Sequence, residues 1–310
     1  MEKLFKLREH KTTFQKEIVA GITTFLTMAY ILAVNPGMLG LIGDGMTPQA
    51  VFTATVVASA IATLVMAFIA NLPVALAPGM GLNAFFTFTV VMGMGYSWRL
   101  ALTAVFLEGI LFIILSLFNV REAIIKAIPA NLKKAVAVGI GLFIALIGFA
   151  NAGVVIGGGG TVIGLAENLK AGAPLLALLG FVIIAVLYSL KVPGAILIGI
   201  FATTIIGIPM GVTVVPDGFS PFSAPAAPLF FQFDFSTSTI LTFKFFTVFF
   251  TFLFVDIFDT IGTLVGVTTQ AGLIDKNGNI PHVKQALLAD AVGTVAGAAL
   301  GTSTVTSYVE

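Results

Sequence analysis

Long apolar runs, separated by short polar or Gly/Pro-containing stretches, organise the 310-residue chain. A hydrocarbon core of about 30 Å takes about 20 residues of helix. Runs of that size predict spans at 17–38, 48–70, 74–94, 98–118, 133–152, 173–190, 193–212, 240–268 and 284–300, after which the chain runs into GTSTVTSYVE. Connections are short. LKVPG at 190–194 reads as a tight turn between two spans, and GGGGTVIGLAENLKAG at 157–172 as a flexible external loop. The glycine run in that loop lacks the Gly-Lys-Ser/Thr that a phosphate-binding loop requires. The Pro-rich VPDGFSPFSAPAAP at 215–228 predicts a structured extramembrane crossing.

Composition fixes the solvent. Hydrophobic residues make up 58% of the chain and charged residues 9%, with a mean hydropathy of +1.09. Soluble domains carry about 25% charged residues, and a soluble fold this apolar would leave large exposed patches. The reading is an all-α polytopic membrane protein. There are no cysteines, which excludes disulfides, thiolate metal sites and cysteine nucleophiles. The start, MEKLFKLREHKTTFQKE, is basic and polar and lacks a small-residue cleavage site, unlike a signal peptide; residues 1–16 read as a cytoplasmic tail. With alternating spans, twelve of the 15 Lys and Arg fall on the inner side and three, Arg99, Lys170 and Lys244, on the outer. That bias predicts a multi-pass protein of the cytoplasmic membrane with its N-terminus inside.

The chain also carries internal symmetry. TTFLTMAYILAVNP (23–36) lies on FTFLFVDIFDTIGT (250–263) at an offset of 227, and ALAPGMGLNAFF (75–86) on ALGTSTVTSYVE (299–310) at 224. The pairs match the first span with the eighth and the third with the tenth. An odd offset of seven spans makes the halves antiparallel, the arrangement of inverted-repeat transporters. Residues 17–235 form the first repeat and 236–310 the start of a second. A complete second repeat would extend to about residue 430–450, so the sequence reads as truncated, with about four spans to follow.

The third and tenth spans are interrupted. Pro78, Gly79 and Gly81 are poor helix formers, and GTSTVTSYVE, rich in Thr, Ser and Val, favours extended chain. Irregular backbone at membrane depth occurs only where it is buried in protein or lines a wet cavity. Pairing the two segments as short strands would satisfy their backbone groups, with the following helix N-termini facing a substrate. The competing reading is glycine serving close helix packing. Two acids, Asp256 and Asp259, occupy the apolar FLFVDIFDTIGTLVG. At i and i+3 they share a helix side, and a carboxylate at the bilayer centre costs about 2.5–3.5 kcal/mol. Such acids bind a ligand's donors, carry protons or brace a neighbouring helix. Asp259, beside Thr260, Gly262 and Thr263, reads as the functional one, and Asp256 as a brace or a proton-coupling group. Glu310 ends the strand-like segment, opposite Asp259. Glu108 reads as a structural, gating or proton-coupling acid, and Asp290 as a helix-packing contact. Asn83 either presents its amide to a ligand or caps the half-helix. Phe85 or Phe86 offers a stacking face, and the Phe-rich run 229–258 faces lipid and core.

MAYILAVNP, APGMGLNAFF, FVDIFDTIGTL and GTSTVTSYVE, in this order, together resemble the purine permeases of the nucleobase–cation symporter family (the xanthine/uracil permease superfamily), in its AzgA-like adenine/guanine/hypoxanthine branch. The resemblance runs from about residue 5 to 310. It implies a seven-plus-seven inverted-repeat fold of fourteen spans, with short strands in spans 3 and 10 and about ten spans present in this sequence. It also implies proton-coupled transport of a nucleobase. It places substrate-binding acids at Asp259 and Glu310; the reading of the residues themselves adds Gly79, Gly81, Asn83 and Phe85 as the expected lining. Proton coupling falls to Asp259, Glu310, Asp256 and Glu108.

The chemistry agrees with that cargo, since a carboxylate accepts two adjacent N–H donors of a purine in one bidentate contact. An anion exchanger of the related sulfate-permease type is the alternative, although paired acids would oppose its cargo. An intramembrane enzyme would have to rest on Asp256 and Asp259 alone, because the chain has no HExxH, no GxSxG and only His10 and His282. The expected partners are a purine nucleobase, protons and the lipid bilayer, with no nucleic acid, metal or cofactor. The oligomeric state is open between monomer and homodimer.

Overall fold

The computed structural model describes residues 5, 7–8, 12–118, 120, 129–157, 162–192, 194–215, 224–274 and 280–308. Helices dominate it. In chain order they are α1 (Phe14–Met28), α2 (Ile31–Leu39), α3 (Pro48–Ala70), α4 (Met80–Gly93), α5 (Trp98–Leu117), α6 (Ala130–Asn151), α7 (Gly172–Ser189), α8 (Ala195–Gly207), α9 (Thr237–Ile240), α10 (Phe243–Gln270) and α11 (Val283–Leu300). Four short strands complete the described elements: β1 (Leu76–Pro78), β2 (Val155–Ile156), β3 (Gly164–Leu165) and β4 (Val305–Ser307). Among the described residues, six helical stretches are long and apolar enough to cross a membrane.

Several helix starts follow from local chemistry. Thr13, Thr47, Ser97 and Thr242 each sit in extended backbone and accept a hydrogen bond from the backbone N–H three residues on. Each thereby satisfies one of the donors that a helix N-terminus leaves open. Two features depart from the sequence reading. The predicted first span, 17–38, falls within one helical stretch, Phe14–Ile42, but a turn at Ala29 and Tyr30 interrupts it between α1 and α2. The predicted loop at 157–172 holds part of a small hairpin, with Val155 opposite Leu165 and Ile156 opposite Gly164. The predicted crossing at 215–228 falls largely outside the described residues.

The described residues divide into two compact units: those within 31–140 and 225–308 belong to the first, and those within 12–30 and 141–224 to the second. The first takes residues from both sides of position 235, where the sequence reading sets the end of a first repeat.

In the first unit α11 is the central helix. It packs on α3 and α5 through residues too small to hold the helices apart. A Cβ on Gly293 would stand 2.7 Å from Ala62 Cβ, one on Gly109 of α5 2.7 Å from Val295 Cγ2, and one on Gly297 2.9 Å from the Ser303 carbonyl oxygen. Small residues let helix backbones approach where lipid supplies no hydrophobic drive. Ala54, Ala58 and Ala62 of α3, Phe112 of α5, Leu253, Ile257 and Ile261 of α10 and Val305 of β4 share one buried core.

Asn35 of α2 ties this unit together. It is fully buried, and its Nδ2 donates to Thr55 Oγ1 of α3 and to Thr302 Oγ1, each at 2.8 Å. Asn35→Ala should lower stability by about 1–3 kcal/mol, since both hydroxyls lose a buried donor. The check is the melting temperature of the purified protein in detergent, against Asn35→Gln.

In the second unit α7 and α8 form an antiparallel pair. The LKVPG link turns through Lys191 (φ 56) and Gly194 (φ 72). Gly180 sits where a Cβ would be 2.6 Å from Thr203 Oγ1, and Gly199 sits against Ile184.

Candidate substrate site

The two interrupted segments meet. β1 and β4 pair antiparallel, with Leu76 opposite Ser307, Ala77 opposite Thr306 and Pro78 opposite Val305. The ladder continues at both ends: Gly79 N donates to Thr304 O (3.1 Å) and Tyr308 N to Ala75 O (2.9 Å). A two-stranded ribbon still leaves two open edges, which hydrocarbon does not tolerate. Threonines help to close them. On the β1 edge Thr63 of α3 accepts from Leu76 N (3.0 Å) and lies 3.3 Å from Leu76 O. On the β4 edge Thr294 of α11 donates to Val305 O (3.0 Å).

β1 gives way to helix at once. Gly79 is the extended residue before α4 (φ −74, ψ 125) and accepts from Asn83 N at 2.9 Å. Gly81 lies in the first turn of α4. From Phe85 to Gly93 α4 winds as π-helix. A side chain on Gly79 would meet Thr306 Cγ2 at 2.7 Å and Asp259 Oδ2 at 3.2 Å. The glycine is therefore required for space, and that space brings the Asp259 carboxylate against the β1–α4 junction. Thr263, one turn after Asp259, bonds back to Asp259 O (2.8 Å) and meets Ser307 Oγ at 2.6 Å. α10 is thus fastened to β4 beside the acid.

The other predicted residues fall as follows. Asp256 and Asp259 have different surroundings despite their i, i+3 spacing. Thr260 Oγ1 is 3.2 Å from Asp256 Oδ1, 3.0 Å from Asp290 Oδ2 and 3.4 Å from Thr306 Oγ1. That hydroxyl gathers two buried acids and the strand, so Asp290 is a helix-packing contact to α10. Asn83 is fully buried inside α4, where its Oδ1 accepts from Ser303 Oγ. The helix starts at Gly79 without a side-chain cap, so the capping alternative for Asn83 is set aside. Phe85 meets Phe252 edge-on, with ring centroids 4.8 Å apart. Glu108 is fully buried on α5, next to the Gly109 that packs on α11. Glu310 lies outside the described residues. Sequence reading noted Thr260 only as a small polar neighbour of Asp259 and gave no role to Thr63, Thr294 or Ser303. Their only signal was hydroxyls in otherwise apolar or small-residue stretches.

Comparison with known proteins places this arrangement. A family profile described as a permease family, of xanthine/uracil type, matches residues 15–310. A putative permease of Methanocaldococcus jannaschii is 49% identical over 310 residues, covering 100% of this chain and 70% of that protein. The adenine permease AdeP of Escherichia coli is 43% identical over 310 residues, covering 100% and 68%. The guanine/hypoxanthine permease PbuO of Bacillus subtilis is 45% identical over 312 residues, covering 99% and 71%. Among solved structures, the transmembrane domain of the cyanobacterial bicarbonate transporter BicA aligns with a TM-score of 0.61, covering 95% of this chain and 74% of that one at 14% identity. That likeness is one of fold alone. On the profile match and these identities, the chain belongs to the xanthine/uracil permease family.

Proposed function

We propose that the protein takes up purine nucleobases (adenine, guanine and hypoxanthine) across the cytoplasmic membrane, coupled to protons, by alternating access, with its N-terminus inside. The observation that carries this reading is the buried Asp259 carboxylate held against the β1–α4 junction by the bare Gly79. A carboxylate there accepts N–H donors of a base, two at once from the adjacent N1–H and amino group of guanine. The similar permeases of E. coli and B. subtilis, whose names specify adenine and guanine/hypoxanthine, support the cargo and a transporter rather than an enzyme. Asp259 and Glu310 carry the substrate donors in this reading. Asp256 and Glu108 join them in proton handling, and Gly81 and Phe85 contribute to the lining. The excess of Lys and Arg on one side supports the orientation.

The test is uptake of labelled hypoxanthine, guanine and adenine by cells that express the protein and lack their own purine uptake. Saturable uptake is expected, abolished by a protonophore and unaffected by excess sulfate or bicarbonate. Inhibition by those anions and not by purines would favour the anion-exchanger reading.

A further inference from the structure

Threonine hydroxyls inside these helices commonly bond the carbonyl four residues back. Thr55 does so to Val51 O (2.7 Å), Thr103 to Arg99 O (2.8 Å), Thr203 to Gly199 O (2.7 Å) and Thr268 to Leu264 O (2.6 Å). The habit satisfies a hydroxyl that lipid or an apolar core would otherwise orphan. Thr87 breaks it. It is fully buried on α4, yet its Oγ1 finds no hydrogen-bond partner among the described residues. It sits in the π-helical part of α4, a winding often found at functional sites. One turn earlier, on the same face, Asn83 is equally buried. Its Oδ1 is engaged by Ser303, while its Nδ2 likewise finds no partner among the described residues. Two open polar groups thus lie four residues apart on the helix that begins at Gly79, the glycine whose missing Cβ would stand 3.2 Å from Asp259 Oδ2. An isolated buried polar group is expensive. Two on one face, with the neighbouring amide oxygen already occupied, are arranged for something that arrives.

We propose that Thr87 is a specificity-determining residue, whose hydroxyl joins Asn83 Nδ2 in binding the hydrogen-bond acceptor edge of the base, its ring nitrogen or carbonyl oxygen. This rests on the nucleobase reading above. The division of labour follows from chemistry: Asp259 accepts and takes an N–H edge, the Asn83 amide nitrogen donates only, and the Thr87 hydroxyl donates or accepts. A site with both kinds of group rejects a planar ring that lacks either one, because the corresponding protein group is then left buried and unpaired.

The experiment compares wild type, Thr87→Val and Thr87→Ser in the same uptake assay. Labelled hypoxanthine competes with unlabelled hypoxanthine and with deaza-analogues in which one ring nitrogen is replaced by C–H. Wild type should prefer hypoxanthine over at least one deaza-analogue. Thr87→Val, nearly isosteric, should raise the apparent KM about five- to tenfold, leave the maximal rate within twofold and flatten that preference. Thr87→Ser should retain both. Thr87→Ala gives the same reading should the valine variant fail to reach the membrane. An unchanged KM and unchanged analogue preference in Thr87→Val or Thr87→Ala overturns the assignment, as does equal loss in Thr87→Ser. Binding to detergent-purified protein, read as thermal stabilisation by hypoxanthine, separates the two levels. A wild type that purines do not stabilise and that does not transport them refutes the nucleobase reading and this assignment with it. A wild type and Thr87→Val stabilised equally refute only the role of Thr87.

Discussion

Asp259→Asn is expected to abolish saturable purine uptake while leaving the fold in place. Asparagine matches aspartate in size but removes the charge and one of the two acceptor oxygens. In place of that oxygen it sets an amide donor against the donors of the base. Hydrogen bonds to a charged group are worth about 1.5–3 kcal/mol each, and two adjacent ones are at stake in a bidentate contact. The loss in uptake efficiency is therefore at least about a hundredfold. Thr263 bonds the backbone carbonyl of residue 259 and meets Ser307, and these contacts survive the substitution. The measurements are initial rates with labelled guanine, whose N1–H and amino group are the adjacent donors, normalised to protein in the membrane, and melting in detergent. Full transport by Asp259→Asn would remove the acid from the site. A melting temperature that fell together with transport would make it a structural group.

Much of the frame was legible because the physics is local. Twenty-odd apolar residues in a row predict a helix wherever they sit, and Pro78 with Gly79 marked the interruption that the structure places at β1 and the start of α4. The union of β1 with β4 was legible for a further reason: two extended segments at matching positions had backbone groups to satisfy and no water to satisfy them. What stayed hidden was decided between helices. In a chain apolar on nearly every face, periodicity does not say which side of α3 meets β1. Thr63, which closes that edge, therefore looked like any other threonine. Asp290 and Asp256 were 34 positions apart in the sequence, and nothing in either motif announced that Thr260 would hold them together. The break at Ala29–Tyr30 carried no glycine or proline to signal it. Thr87 was invisible because its distinction is a hydrogen bond it does not make.

Gly79→Val is the second large effect expected, and the geometry also supplies its rescue. At φ −74 and ψ 125 residue 79 has a backbone conformation open to any L-amino acid, so no conformational penalty attaches to a side chain there. The objection is one of volume. The first added carbon would stand 2.7 Å from Thr306 Cγ2 and 3.2 Å from Asp259 Oδ2, closer than carbon atoms pack at 3.5–4.0 Å. β4 or α10 must give way, and either movement carries the acid away from the β1–α4 junction. Misplacing a binding group by about 1 Å can cost about a hundredfold, so Gly79→Val should lose uptake nearly as completely as Asp259→Asn. Gly79→Ala, with the single carbon, should lose less. The nearer obstacle is a methyl group, and Thr306→Ser deletes it while keeping the hydroxyl that faces Thr260. The double variant Gly79→Ala with Thr306→Ser should therefore regain most of the uptake that Gly79→Ala loses, a non-additivity expected of residues in contact. Additive losses in that cycle would mean that the clash with Thr306 is not what glycine avoids at position 79, and that its role lies in the backbone of the crossing itself.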